Sequence, residues 1–268
     1  MHVRPVSGYL SYLQADAGPF LSDVTVAGNE PYGLIALEAH YAVEAYNRSL
    51  FTAYDIDFPL RLTNAVPKRQ GEFLAGRVLA RAALDGLHRA YASIAIGDQG
   101  SPVWPSGISG SISHSHGKCI CLVIADDHKL VGIDVEKLAT GASVGAILKE
   151  ALSPEERHRL VQQTTFDADV LATLIFSAKE TIFKTLHPVV RQFFGFDAAV
   201  FNGIRDGNHL SFSIVYSLNE CIPQNTEMLI DFKFDGEFAT TWTIVDRKTL
   251  ERLGSAAPLF WLRAVNAG

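Results

Sequence analysis

The sequence has few cysteines and no long apolar segment. Its three cysteines, Cys119, Cys121 and Cys221, form no metal-binding spacing, and the first two alternate within an apolar run, so we expect all three to be reduced core residues. No run approaches the roughly 18 to 20 apolar residues needed to cross a bilayer, and the first residues lack a charged start followed by an apolar core. We therefore expect a cytoplasmic protein with neither an export signal nor a membrane span.

The sequence also lacks an excess of positive charge. It has 23 Lys and Arg against 29 Asp and Glu, which gives a formal net charge of −6. General nucleic-acid binders present a basic surface to the phosphate backbone, so this balance argues against a nucleic-acid partner. Hydrophobic residues make up 48% and charged residues 19% of the 268 residues, which is typical of a well-packed globular protein. Any anion site must therefore be local.

Two helical regions are predicted. Apolar residues at helical spacing predict an amphipathic helix from about Arg69. "SPEERHRL" predicts a helix start, with Ser153 as N-cap and Glu156 closing a capping box. "VLATLIFSAKETIFKTLHPVV" then predicts a long, largely buried helix that should end before Pro188.

The strand patterns complete the prediction of an α+β protein. "CICLVIA" and "LVGIDVE" are separated by the short polar turn "DDHK", which is the signature of an antiparallel hairpin. Three alternating or β-branched runs in the last third predict an antiparallel sheet. We expect an N-terminal αβ half over 1–140 and a C-terminal αβ half over 141–268. No sequence repeat relates the two halves.

Two acids close the "LVGIDVE" run. Asp134 and Glu136 are two residues apart, so in a strand their side chains point to the same side, and two carboxylates held close repel unless something positive lies between them. Glu180 on the long helix would add a third carboxylate, and an all-oxygen set suits Mg²⁺. The spacing leaves an alternative open, in which the strand-end acids are solvated and Glu180 forms a surface i, i+4 pair with Lys184.

Basic and hydroxyl side chains near these acids suit phosphate. Lys179 and Lys184 would stand beside a metal-bound anion as point charges, although an ordinary solvated helix face would also hold two lysines. Ser113 and His114 offer a hydroxyl and an imidazole to a phosphate group. The sequence has no nucleophile elbow and no paired Asp, which disfavours a Ser/His hydrolase.

Three arginines lie on the first predicted helix. Arg69, Arg77 and Arg81 fall within about a quarter-turn of one helix face. Arginines placed in this way repel one another unless an anion binds, and Glu72 would relieve only part of the repulsion. This face is therefore a second candidate anion site.

Taken together, these segments resemble a known family. "VGIDVE" at 131–136 followed by "FSAKETIFK" at 176–184 resembles the two-part signature of the 4′-phosphopantetheinyl transferases, G-[IV]-D-[IV]-E and [FW]-S-x-K-E-x-x-x-K. "KRQGEFLAGRVLARAAL" and "SPVWPSGISGSISHSHG" resemble the branch associated with enterobactin and other siderophores, with its R-x-x-E-F-x-x-x-R and W-P-x-G-x-x-G-S-I-S-H segments. The four ordered blocks span Lys68 to Lys184. The resemblance implies a pseudo-dimer of two αβ halves, each a mostly antiparallel sheet with packed helices, and coenzyme A bound in the cleft between them.

The resemblance also implies a role for each matched residue. The Mg²⁺ ligands would be Asp134, Glu136 and Glu180. The residues that contact coenzyme A phosphates would be Lys179, Lys184, Ser113 and His114, with Arg69 and Arg77 receiving the 3′-phosphate. One departure concerns "GDQGSPVWP", where related sequences often place a basic residue before Pro102 and this chain has Gly100 and Ser101.

The implied reaction transfers the 4′-phosphopantetheine group from coenzyme A to a serine of an apo acyl or peptidyl carrier protein and leaves 3′,5′-ADP. Asp134, Glu180 and Lys184 would be the catalytic residues: Mg²⁺ neutralises developing charge, Lys184 steadies the leaving phosphate and Glu180 removes the serine proton. We expect a monomer. Two alternatives are a Mg²⁺-dependent phosphohydrolase acting on a nucleotide-like substrate and an inactive module that binds coenzyme A. The sequence identifies neither the carrier nor its pathway.

Overall fold

The chain folds into two compact units, each with its own sheet and hydrophobic core. One unit comprises the described residues up to Asp127, and the other comprises the described residues from His128. Both units combine mostly antiparallel strands with packed helices, so the predicted α+β fold class is confirmed. The computed structural model describes residues 8–15, 18–29, 33–89, 94–97, 100–248 and 255–256.

The first unit is a four-stranded antiparallel sheet with one long helix packed on it. Its elements are α1 (Tyr9–Ala15), β1 (Leu21–Asn29), β2 (Leu34–Tyr41), α2 (Leu50–Ala53), α3 (Pro67–Gly86), β3 (Ala95–Ile96), β4 (Pro102–Val103), β5 (Ser109–Ser115) and β6 (Lys118–Ile124). The sheet order is β1-β2-β6-β5, while β3 and β4 form a separate two-stranded ribbon. Helix α3 packs on β2, β5 and β6. Short 3₁₀ turns stand at Val43–Ala45 and Leu60–Leu62.

Helix α3 is the amphipathic helix predicted near Arg69. It begins at Pro67, where the missing N–H of proline costs nothing because the first N–H groups of a helix have no partner within it. Its buried side carries Leu74 and Val78. A side-chain carbon at Gly76 would lie 2.9 Å from Ile112, so the absence of a side chain lets α3 approach β5. This close contact places the middle of α3 against the strand that carries Ser113 and His114.

The second unit is built on a larger sheet. Its elements are β7 (Lys129–Lys137), α4 (Ala142–Glu150), α5 (Pro154–Gln162), α6 (Ala168–Val190), β8 (Ala199–Arg205), β9 (His209–Ile214), β10 (Glu227–Phe234), β11 (Phe238–Asp246) and β12 (Ser255–Ala256). The strand order is β7-β11-β10-β9-β8, and β12 pairs in parallel with β10. Helix α6 packs on β7 and β11. The predicted antiparallel sheet in the last third is confirmed. No helix within the described ranges is long and apolar enough to span a membrane.

The predicted hairpin between "CICLVIA" and "LVGIDVE" is wrong. Strand β6 lies between β2 and β5, so both of its hydrogen-bonding edges are occupied, and all of its residues are buried. Strand β7 instead pairs along its length with β11 in the other sheet. The hairpin of this region joins β5 to β6 through His116 and Gly117, which both have positive φ as a two-residue type I′ turn requires. The polar segment "DDHK" therefore carries the chain from one unit to the next.

The limits of two predicted segments differ from the structure. The units divide between Asp127 and His128, ahead of the boundary expected at 140/141, because β7 pairs with β11. Helix α6 continues past Pro188 and ends at Val190, which is buried in the core of the second unit. Core packing of this last turn outweighs the loss of one helical hydrogen bond at the proline. Arg191 in the left-handed conformation then ends the helix.

Candidate active site

Helix α6 lies directly on strand β7 because Gly132 leaves room for it. A side-chain carbon at Gly132 would overlap the hydroxyl of Thr185 and the carbonyl oxygen of Thr181. Both threonines are fully buried, and the Thr181 hydroxyl donates to the Thr241 carbonyl oxygen of β11 at 3.1 Å. The glycine of "VGIDVE" therefore sets how closely the strand with the acids approaches the helix that carries "FSAKETIFK".

Asp134 and Lys184 form an ion pair at this contact. Lys184 Nζ donates to Asp134 Oδ1 at 2.6 Å and to the Ile133 carbonyl oxygen at 3.2 Å. The Asp134 side chain is 3% exposed, whereas that of Lys184 is 24% exposed. A carboxylate this deeply buried needs a cation beside it, since desolvation otherwise destabilises its charge. The alternative of a solvated strand-end acid is therefore wrong for Asp134.

Glu180 lies one helical turn before Lys184 and shares its electrostatic surroundings. Its side chain is half-buried. Burial raises the pKa of Glu180, the charge of Lys184 opposes this shift, and the charge of Asp134 adds to it. The charges of Asp134 and Glu180 therefore repel each other, and the Lys184 ammonium group attracts both carboxylates.

Glu136 faces the same side of β7 as Asp134, because side chains alternate along a strand that pairs in regular register. It is half-buried. In the part of the chain that the structure describes, no group of three or more His, Cys, Asp or Glu side chains is gathered closely enough to hold a metal ion. The oxygen donors present are those that Mg²⁺ prefers, and Mg²⁺ needs only one or two protein carboxylates because water and phosphate oxygens fill its other positions. The donor chemistry of Asp134 and Glu180 therefore fits Mg²⁺.

Lys179 lies apart from this group, in the core of the second unit. It is 4% exposed, and its Nζ donates to the carbonyl oxygens of Ala151 (2.8 Å) and Phe196 (2.9 Å) and to Glu156 Oε2 (2.8 Å). Burial lowers the pKa of Lys179, while the Glu156 carboxylate counteracts this shift. An ammonium group has three hydrogens, and all three are directed at protein acceptors. These contacts give Lys179 a structural role and do not favour the predicted phosphate contact.

Glu156 connects three elements of the second unit through one carboxylate. Its Oε2 accepts from the Ser153 backbone N–H at 2.8 Å, which closes the predicted capping box at the start of α5. Its Oε1 accepts from the Phe201 backbone N–H of β8 at 2.7 Å. With Lys179 of α6 also bound to Oε2, the group joins α5, α6 and β8 in a fully buried cluster.

In the first unit, His114 lies between a cation and an acid. Arg69 Nη1 lies 3.3 Å from His114 Nε2 and 3.5 Å from Glu72 Oε2, and His114 Nδ1 lies 4.0 Å from Glu72 Oε2. Because arginine can only donate, Nε2 must accept, which places the proton of a neutral imidazole on Nδ1 and towards Glu72. Arg69 of α3 and His114 of β5 are therefore neighbours on adjoining elements.

Ser113 does not share this cluster. The register of β5 against β6 is regular, so the side chains of Ser113 and His114 project from opposite faces of the strand. His114 shares the face of Ile112, which packs against α3, whereas the Ser113 side chain is buried on the other face. Hydroxyl and imidazole are therefore not aimed at one point.

The other two arginines of α3 differ from each other. Arg81 pairs with Asp55 at 2.7 Å and donates to the Asp55 carbonyl oxygen, so its charge is compensated. Arg77 is 6% exposed and its guanidinium carbon lies 4.7 Å from the centre of the Phe73 ring. Its Nε and Nη2 have no hydrogen-bond partner among the described residues. Burial lowers the pKa of Arg77 to about 10.

The sequence assigned no role to two residues, Glu156 and Arg61. The sequence predicted Glu156 only as the acid that closes a capping box. The apolar residues around Lys179 in "FSAKE" were the one sign that this lysine would be buried and would need an acid beside it. Arg61 precedes α3 by several residues, and the spacing gave no sign that it lies near Gly100.

Two family models match the chain, one in each unit. Residues 58–124 match the model described as the 4′-phosphopantetheinyl transferase N-terminal domain. Residues 130–243 match the model described as the 4′-phosphopantetheinyl transferase superfamily. The second match contains every residue of the Asp134 site.

The chain is also similar in sequence to individual proteins of known name. The chain is 28% identical over 199 residues to enterobactin synthase component D of Salmonella typhi, a match that covers 74% of this chain and 82% of that protein. It is 30% identical over 169 residues to enterobactin synthase component D of Salmonella austin, which covers 62% of this chain and 68% of that protein. It is also 34% identical over 142 residues to the 4′-phosphopantetheinyl transferase Npt of Nocardia iowensis, over 52% of this chain and 61% of that protein.

Proposed function

The chain belongs to the 4′-phosphopantetheinyl transferase superfamily. We propose that it transfers the phosphopantetheine arm of coenzyme A to a serine of a carrier protein. Its catalytic residues would be Asp134, Glu180 and Lys184. The observation that carries this proposal is the contact of β7 with α6, which joins Asp134, Glu180 and Lys184. The family and the names of the relatives give no support to the phosphohydrolase alternative.

Asp134 and Glu180, with Glu136 on the same face of β7, would hold a Mg²⁺ ion. When bound, the ion supplies positive charge that offsets the charge developing on the phosphate oxygens during transfer. The proposal is supported by the repulsion between two carboxylates on facing elements, which a divalent cation relieves.

Lys184 would steady the pyrophosphate of coenzyme A. The Lys184 side chain is only 24% exposed, so a charge-assisted hydrogen bond from its ammonium group to phosphate is strong. The carrier serine oxygen attacks the phosphorus that bears the pantetheine arm, the bond from this phosphorus to the bridging oxygen breaks, and 3′,5′-ADP leaves with the electron pair. Lys184 stabilises the charge on that leaving group.

Glu180 would accept the proton of the serine hydroxyl. A general base works best when its pKa lies close to the working pH, and burial moves the pKa of Glu180 upwards in that direction. The proton passes from the serine oxygen to the Glu180 carboxylate, directly or through one water molecule.

The first unit would bind the phosphate groups of coenzyme A through Arg69, Arg77 and His114, whereas Ser113 is left out because its side chain is buried on the opposite face of β5. The buried guanidinium of Arg77 supports this assignment, because its Nε and Nη2 need an acceptor. Lys179 is left out of this set because its three hydrogens are directed at protein acceptors.

The acceptor is proposed to be a carrier protein of nonribosomal peptide synthesis. This narrower choice is supported by the two Salmonella relatives, which are named as components of enterobactin synthase. A fatty-acid carrier tested in parallel gives the comparison that decides between the two classes.

Mass spectrometry of an apo peptidyl carrier incubated with the protein, coenzyme A and Mg²⁺ tests the function. We expect the carrier to gain one phosphopantetheinyl group while an equal amount of 3′,5′-ADP appears. A carrier in which the acceptor serine is replaced by alanine serves as the control. Phosphate release from coenzyme A without carrier modification would contradict the proposal.

A further inference from the structure

A cluster of buried hydroxyl groups joins helix α6 to strand β11. Ser177 Oγ lies 2.9 Å from Thr241 Oγ1, and Thr181 Oγ1 lies 2.7 Å from the same atom. The Thr181 hydroxyl also donates to the Thr241 carbonyl oxygen at 3.1 Å. All three residues are fully buried. The helix therefore contacts the sheet at this point through hydrogen bonds as well as through apolar packing.

The hydroxyl hydrogens of this cluster form one ordered chain. Each hydroxyl has a single hydrogen, and that of Thr181 is directed at the Thr241 carbonyl oxygen. The Thr241 hydroxyl therefore donates to Thr181 Oγ1, and the Ser177 hydroxyl donates to Thr241 Oγ1. Hydrogen bonds are directional whereas hydrophobic contacts are not, so the chain fixes both the rotation of α6 about its axis and its position along β11.

Thr241 lies next to both elements of the Asp134 site. In the regular register of β7 and β11 it stands directly opposite Asp134, so the two side chains share the face of the sheet that α6 covers. Its partner on α6, Thr181, is the residue that follows Glu180. One side chain is thus a cross-strand neighbour of the first carboxylate and is hydrogen-bonded to the helical turn that carries the second.

We propose that Thr241 is a positioning residue of the active site, whose hydroxyl holds α6 at the position where Glu180 and Asp134 would bind one Mg²⁺ ion. The assignment rests on the proposed function, and it gives Thr241 no contact of its own with the substrate or the metal. A misplacement of about 1 Å can lower a rate by about 100-fold, so loss of this hydroxyl should change metal binding and catalysis as well as stability.

Thr243 of the same strand provides a matched control. It is also fully buried, and because it lies two residues from Thr241 its side chain is on the same face of β11. Its hydroxyl donates to the Leu229 carbonyl oxygen of β10 at 3.1 Å, which is a bond within the sheet. Replacement of either threonine by valine removes one buried hydroxyl, so the two variants should lose similar stability in urea unfolding.

A titration of the full-length protein with Mn²⁺ tests the proposal without substrate. Mn²⁺ takes the carboxylate and water ligands that Mg²⁺ takes, and the electron paramagnetic resonance signal of the free ion reports its binding. Thr241→Val should weaken Mn²⁺ binding by about tenfold, whereas Thr243→Val should stay within about twofold of the wild type. Thr241→Ser keeps the hydroxyl and should also stay within about twofold.

The rate of carrier modification provides the second measurement. At saturating Mg²⁺ and coenzyme A, Thr241→Val should lower kcat by about 10- to 100-fold relative to Thr243→Val, and Thr241→Ser should restore most of that loss. If Thr241→Val does not fold, Ser177→Ala replaces it in both measurements, because that change removes only the hydrogen bond to Thr241 Oγ1.

Equal Mn²⁺ affinity and equal kcat of Thr241→Val and Thr243→Val would overturn the positioning role, and so would a Thr241→Ser variant as impaired as Thr241→Val. Either result, together with normal carrier modification by the wild type, leaves the proposed function standing. A wild type that binds Mn²⁺ but modifies no carrier would overturn the proposed function, and the Mn²⁺ affinities of the variants would still decide whether Thr241 positions the two carboxylates. A wild type that binds no Mn²⁺ would overturn the positioning role.

Discussion

Lys179 and Lys184 lie on the same helix yet occupy opposite chemical settings. Lys179 is surrounded by three protein acceptors and is 4% exposed, whereas the Lys184 side chain contacts Asp134 and remains 24% exposed. Five residues along a helix correspond to a rotation of about 140° between the two side chains. One lysine therefore holds α6 in the core, and the other serves the site on β7.

This difference predicts a stability effect for Lys179. Lys179→Met should lower the free energy of unfolding by about 3 to 5 kcal/mol, because the Glu156 carboxylate is left buried without its cation. Urea unfolding measures the change. Lys129→Met is the control, since its partner Asp246 is 34% exposed and the pair contributes about 1 kcal/mol or less. Adding Glu156→Gln to Lys179→Met should recover part of the loss, and a Lys179→Met variant as stable as the control would contradict the structural role.

Asp134 should matter for catalysis rather than for packing. Asp134→Asn keeps the shape of the side chain but removes the charge that binds Lys184, so transfer should fall by about 100-fold or more while the melting temperature changes little. The rate of carrier modification measures the effect. Asp246→Asn is a matched control, because Asp246 also pairs with a lysine across β7 and β11. Near-normal turnover of Asp134→Asn would remove this residue from the active site.

Metal dependence should be visible through Glu180. Chelation with EDTA should abolish transfer and added Mg²⁺ should restore it, because the two carboxylates supply the oxygen ligands that Mg²⁺ prefers. Glu180→Gln should raise the Mg²⁺ concentration needed for half-maximal activity, and Asp246→Asn should leave that concentration unchanged. Activity that survives chelation would show that the acids do not act through a metal.

Gly132 should tolerate no side chain. Gly132→Ala pushes a carbon into Thr185 and the Thr181 carbonyl group, so α6 must move away from β7. We expect a loss of about 1 to 3 kcal/mol in the free energy of unfolding together with a loss of transfer activity. Gly145→Ala in α4 meets no neighbour and should stabilise the protein by about 0.5 to 1 kcal/mol. Equal behaviour of the two variants in chemical unfolding would refute the role of Gly132.

The sequence predicted well what depends on local spacing. Alternation along a strand places Asp134 and Glu136 on one side, and the motif on α6 supplies Glu180 and Lys184, so local spacing alone predicts these acids and this lysine as candidate site residues. The capping box at Ser153 was predicted for the same reason, since both of its hydrogen bonds are local.

What the sequence missed depends on partners distant along the chain. Alternation does not say which strand pairs with which, so β6 and β7 were predicted to pair although each had a different neighbour. Lys179 and Lys184 carry the same side chain in the same helix, and the sequence does not show that Lys179 meets Glu156 whereas Lys184 meets Asp134. The approach of Arg61 to Gly100 likewise follows from a loop conformation that no spacing rule predicts.

Strand β6 has a consequence for how the first unit avoids aggregation. Its sequence "KCICLVI" combines apolar and β-branched residues without a proline, which is the composition that forms cross-β assemblies when exposed. In the fold this segment is an interior strand with β2 on one side and β5 on the other, so the topology shields it from intermolecular pairing. Strand β5 is joined to β6 by a two-residue turn, so one edge of β6 is paired through local contacts. The other edge pairs with β2, which is far away in the sequence, so this pairing forms more slowly. Protection of β6 during synthesis therefore depends on how quickly β2 joins it.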